Sequence, residues 1–210
     1  EKEMMIRGRG LRNIKMMKGL TRPVSDLANN ENYQLLGNAA RSILSQQAFI
    51  LETISDDDYV KHHPFYLGSS VGGHVRHVLD HWSKLMNHDY AISSTDAIDY
   101  DSRERNTEIE TNRLVALGIN EKILHQLDSA LQHRRPETPL QVMFLGDSKS
   151  GIRYTVDTTF GRELSFVSHH ATHHLSTIKL LMQTMSYDSL PTTIGMAHST
   201  IQYWNGQNKK

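Results

Sequence analysis

Cysteine is absent from the 210-residue sequence. That excludes thiolate metal sites, a cysteine nucleophile and a disulfide scaffold, and it is compatible with a reducing compartment. Net charge is absent too, because 23 Lys and Arg balance 23 Asp and Glu. A neutral chain lacks the basic footprint that follows nucleic-acid phosphates, so no nucleic-acid partner is expected. No apolar run approaches the roughly 20 residues that span a bilayer, so no membrane partner is expected. Several catalytic signatures are also missing: His-Glu-x-x-His, paired Glu-x-x-His, a Gly-rich phosphate loop and Gly-x-Ser-x-Gly. Their absence leaves a zincin protease, a carboxylate-bridged di-iron bundle, a nucleotide-binding loop and an acyl-hydrolase elbow without support.

What the chain has is histidine, thirteen in all. That is about twice or more what average composition would supply. Nine fall in three clusters: His62 and His63; His74, His77 and His81; His169, His170, His173 and His174. A second bias lies at the start. Between Met4 and Arg22 stand Arg7, Arg9, Arg12, Lys15, Lys18 and Arg22, with no acid. Residues 1–30 are read as a basic tail or an organelle-targeting segment, and are kept out of the fold argument. Apart from that segment the chain is expected to be intracellular and cytoplasmic.

Residues 31–205 read as one domain and 206–210 as a polar tail. Leu35, Leu36, Ala39, Ile43, Leu44, Ile50, Leu51 and Ile54 recur at helical spacing after Asn29-Asn30. Ser70 can cap a second helix from Val71 to about His88. A third helical region runs through Ile109, Leu114, Leu117, Ile123, Leu124, Leu127 and Leu131, with Gly118 as a candidate break. Val142, Phe144, Ile152, Tyr154 and Val156 alternate around Gly146–Gly151, the pattern of a short β-hairpin. A last helix follows from about Phe160 to Met185. The polar stretch 92–105 reads as a connection. The expected class is all-α, an antiparallel four-helix bundle with a short β-hairpin before the last long helix.

At 100° per residue, His74, His77 and His81 share one helix face, with Asp80 beside them. His170 and His174 stack on adjacent turns of the last helix, and Glu163 and Thr177 lie on the same stripe. Two imidazoles at i and i+4 converge on one ion, and a third from a facing helix completes a bundle pocket. Neutral imidazole suits zinc, nickel, copper and iron, and three protein ligands leave positions open. His169 and His173 point away from the pair by about 60–100°. His62 and His63 are expected to be solvated loop residues, and His88, His125 and His133 to lie on the surface.

The runs Ser70-Val-Gly-Gly-His-Val-Arg-His-Val-Leu-Asp-His81 and Arg162-Glu-Leu-Ser-Phe-Val-Ser-His-His-Ala-Thr-His-His174 resemble two helices of the DinB-like (DinB/YfiT) superfamily. Ile98-Asp-Tyr-Asp-Ser-Arg-Glu-Arg105 and Ile194-Gly-Met-Ala-His-Ser-Thr200 resemble its connecting segments. The likeness covers roughly residues 33–203. It implies a four-helix bundle holding one divalent transition metal ion (Zn, Ni or Fe) between a His-x-x-x-His pair and one histidine of the second helix. Carried onto this chain, the ligands are His170, His174 and His77, with His74 and His81 as alternates. Relatives of this type include thiol-dependent transferases and a domain of iron-dependent sulfoxide synthases. The latter need His-x-x-x-His-x-Glu, and here the last position is Ser176.

The reading that follows is a metal-dependent transferase or hydrolase acting on a small-molecule substrate or thiol. Glu163 or Asp80 would orient a ligand or act as base, and Arg103 and Arg105 would hold an anionic substrate. The alternative is a non-catalytic stress or interaction module in which the ion fixes the bundle, with His81 or Glu163 closing the metal shell. Exposed apolar helix faces would allow a homodimer.

Overall fold

A computed structural model describes residues 30–66, 68–88, 96–102 and 107–207. Of the expected tail 1–30, residues 1–29, and with them the targeting expectation, lie outside the described residues, and Asn30 caps α1. The described chain is mainly helical, with α1 (Glu31–Thr53), α2 (Asp56–Val60), α3 (Val71–Asn87), α4 (Glu108–Thr111), α5 (Arg113–His133), α6 (Phe160–Thr184) and α7 (His198–Gln207). It also carries three strands, β1 (Ile98–Asp99), β2 (Pro139–Leu145) and β3 (Arg153–Thr159).

Each long helix starts where a side chain satisfies its first free N–H groups. Asn30 accepts from the Tyr33 amide, Ser70 from Gly73, Asn112 from Leu114 and Val115, and Thr159 from Arg162. Removing such a cap typically costs about 1 kcal/mol. From these starts the apolar periodicity turns one face of each helix inward. α1 and α3 each pack against both α5 and α6. Leu44, Leu51, Leu79, Trp82, Leu127, Leu164 and Ile178 are buried between them. No helix among the described residues is long and apolar enough to cross a membrane.

The hairpin forms where alternation predicts it. β2 pairs antiparallel with β3, Val142 opposite Val156, and β3 runs straight into α6 through Thr159. A third strand was not expected. Ile98–Asp99 pairs parallel with β2, with Ile98 opposite Val142, inside a stretch that reads as a mere connection. Two residues are too few to show a period; the pairing is made by a partner far along the chain. Two further differences concern the helices. A short helix not read from the sequence follows α1, where Ser55 caps Asp56–Val60 into α2. α5 runs unbroken through Gly118, which is exposed with open space around it, so this glycine costs roughly 1 kcal/mol of propensity without breaking the helix. The break falls earlier, at Asn112.

Two glycines bring backbones close to the helices that carry the histidines. A Cβ on Gly72 would lie 2.1 Å from the Glu110 carbonyl oxygen, so α4 can sit on the start of α3 only with glycine there. A Cβ on Gly195, which holds φ of +69°, would lie 2.2 Å from the Ser176 amide, where the chain after α6 folds back across it. Buried Arg76 strengthens the first junction by donating to Glu110 at 2.8 Å, while Asp80, one turn along α3, accepts from it at 3.0 Å.

Candidate metal centre

α3 and α6 face each other and bring five imidazoles into one continuous cluster. Nε2 of His77 and Nε2 of His170 lie 3.0 Å apart. The His81 ring stacks on that of His170 at 4.2 Å between centroids. One ring nitrogen from each of His77, His81 and His170 lies within 4.8 Å of the others. His174 adjoins this group, its ring 4.6 Å from His170 and 4.7 Å from His77. Its Nδ1 meets Nδ1 of His74 at 3.0 Å. Both expected stripes therefore meet, with His81 inside the tight group and His174 at its edge, turned toward His74.

The donor set suits an ion. Nitrogens bound tetrahedrally at about 2.0–2.1 Å lie roughly 3.3 Å apart, close to the separation already present between His77 and His170. His81 is held in a useful tautomer, because its Nδ1–H donates to the His77 carbonyl at 3.0 Å. A carbonyl only accepts, so Nδ1 carries the proton and Nε2 keeps its lone pair. Tyr100 stacks on the other side of the His81 ring at 5.1 Å and 6°. Phe166 packs on both His81 and His170. Burial pushes His174 down from its ordinary value of 6.5 to about 3, helped by the neighbouring His170, His74, His173 and His81. Burial, with His173, lowers His74 too. Neutral imidazole is the form that can offer its lone pair to a cation.

The remaining candidates fall elsewhere. Asp80 faces Arg76. Glu163 is buried and accepts from the Thr158 hydroxyl at 2.8 Å and from Arg162 at 3.3 Å. It lies two turns before His170, about 10 Å along the axis. Arg103 and Arg105 lie outside the described residues. His62 is exposed, but His63 is buried at 7 % exposure, contrary to its expected solvation, because its amide pairs with the Ser69 carbonyl and folds the loop inward. His169 and His173 are exposed, and His169 donates to the Ser165 carbonyl. His125 and His133 are exposed as well.

The sequence reading missed Phe166, Tyr100 and Ser69, whose hydroxyl meets Nε2 of His74 at 3.1 Å. Phe166 stands four residues before His170, so the helical stripe already marked it. Tyr100 carried no such signal, since the two-residue strand that delivers it shows no periodicity.

No family model matches the chain, and no solved structure matches it. FK506-binding protein 5 of Rhizopus delemar is 30% identical over 126 residues, which make up 59% of this chain and 31% of that protein. The chain therefore spans less than a third of this relative's length. The geometry of α3 and α6, and not a shared name, carries the conclusion: three histidines, His77, His81 and His170, form a group that could hold a metal ion.

Proposed function

We propose that the chain is a DinB-like protein, an antiparallel four-helix bundle built from α1, α3, α5 and α6. It binds one divalent transition metal ion, zinc, nickel or iron, and acts as a metal-dependent small-molecule (thiol) transferase or hydrolase. The observation that carries this reading is the convergence of imidazoles from α3 and α6 on one point. Ions of this class, when bound with an open position, lower the pKa of water or a thiol enough to provide a nucleophile near neutral pH. The chain's own residues supply the rest. His81 is fixed by its bond to His77 and by Tyr100, so its Nε2 needs no ordering when a ligand arrives. His174, His74 and the Ser69 hydroxyl, linked at 3.0 and 3.1 Å, form a hydrogen-bonded line along which a proton can leave the site. Asp80 is engaged by Arg76 and Glu163 stands two turns away, so neither is assigned a proton-transfer role.

One observation favours the non-catalytic alternative. His81 adjoins His77 and His170, and together with His174 these rings could close a four-nitrogen shell. Cobalt(II) substitution followed by addition of 2-mercaptoethanol separates the two. An open position takes the thiolate and yields a new sulfur-to-cobalt charge-transfer band. An unchanged spectrum would contradict the transferase and hydrolase reading and leave the structural one.

A further inference from the structure

Two turns from the imidazoles, the hairpin and the start of α6 enclose a second feature. A cleft of about 310 Å³ is lined by Val142, Phe144, Val156 and Thr158 of the hairpin and by Arg162 and Glu163 of α6. Glu163 is 1 % exposed, and one of its oxygens, Oε2, has no hydrogen-bond partner among the described residues. A buried carboxylate oxygen without a donor is costly, on the order of 1–3 kcal/mol or more. The donors that reach the other oxygen are a threonine hydroxyl and a long contact from Arg162, whose side chain is 63 % exposed. That guanidinium rests over the Phe166 ring at 5.2 Å, a position it can keep while leaving Glu163. Asp157 turns to the opposite face of the hairpin, where Gln141 donates to it at 2.8 Å, so Glu163 is the carboxylate of this cleft. One buried acid stands against one exposed cation, beside an apolar wall.

The geometry points to a binding site for a small organic ammonium compound with an apolar arm. Its N–H groups would donate to Glu163, and the arm would lie on Val142, Phe144 and Val156. Rotation about the terminal bond of the glutamate is soft, so Oε2 can turn to meet an incoming donor. The cleft and the imidazoles lie along one stripe of α6, with Phe166 between them in contact with His81 and His170. A substrate anchored here would present its reacting atom about 10 Å from its ammonium group. That last assignment rests on the proposed metal-centre function; the cleft's preference for an amine does not.

The test uses phenethylamine as probe and 3-phenylpropionate as its anionic counterpart, followed by isotope-edited NMR of the Val142 and Val156 methyl groups in the full chain. The amine is expected to shift these signals and saturate, while the acid leaves them in place. Glu163→Gln should weaken the amine by about tenfold or more, the scale of one hydrogen bond to a buried charge. Arg162→Ala, a change at a side chain 63 % exposed, should tighten it several-fold by removing the competing cation. Failure of the amine to bind, equal binding by Glu163→Gln, or weaker binding by Arg162→Ala would each overturn the site. Metal content measured on the same samples reports separately. Amine binding without metal overturns the metal reading alone, and metal without amine binding overturns the cleft alone.

Discussion

The two sides of α6 carry the same residue type with opposite fates. His170 and His174 lie against α3 among aromatic rings, whereas His169 and His173 are exposed, and His169 is turned back on its own helix by the Ser165 carbonyl. Each outward histidine sits one residue, or 100°, from an inward one. Histidine by itself therefore says little. What makes a centre is a shared face meeting a second shared face, here that of His74, His77 and His81.

This contrast can be broken most severely by removing the inward pair. His170→Ala with His174→Ala should lower affinity for zinc by a hundredfold or more, as expected when two of a few imidazole ligands are lost. Competition with a chromophoric chelator reads the change. A weaker but definite loss, on the order of tenfold, is expected for Tyr100→Ala, which leaves every nitrogen in place and removes only the ring that braces His81.

Acidity should also distinguish the two sides. His174 titrates near 3 when folded and near 6.5 when unfolded, so the unfolded chain binds more protons between those values. The metal-free protein should thus lose thermal stability as pH falls below about 6.5, with the loss complete near the folded value. His174→Ala should flatten that slope, which scanning calorimetry at several pH values would detect. The smallest effect belongs to the outward pair. His169→Ala with His173→Ala should change zinc affinity by no more than about twofold, since both side chains are exposed and turned about 100° from the inward pair.

Much of this arrangement is legible in the sequence, and the limits have physical causes. The long helices, the cap at Ser70 and the hairpin around Gly146–Gly151 follow from local periodicity and turn chemistry. The facing of two histidine stripes follows from 100° per residue. Which of His74, His77 and His81 comes closest to His170 depends on rotamers and on the crossing of α3 with α6, which no local pattern records. Tyr100 is beyond local reading for a similar reason, since a parallel pairing with β2 sets its place. The role of Arg76 is hidden as well, because its partner Glu110 lies 34 positions away on α4.

The central claim, one ion between α3 and α6, is tested most directly by the metal content of the full chain purified without added metal, beside a His77→Ala, His170→Ala variant that breaks the 3.0 Å contact from both sides. The account predicts about one equivalent of a transition metal in the parent and almost none in a variant that still folds. Equal, trace metal in both would contradict it, and would leave the cluster as five imidazoles that satisfy one another.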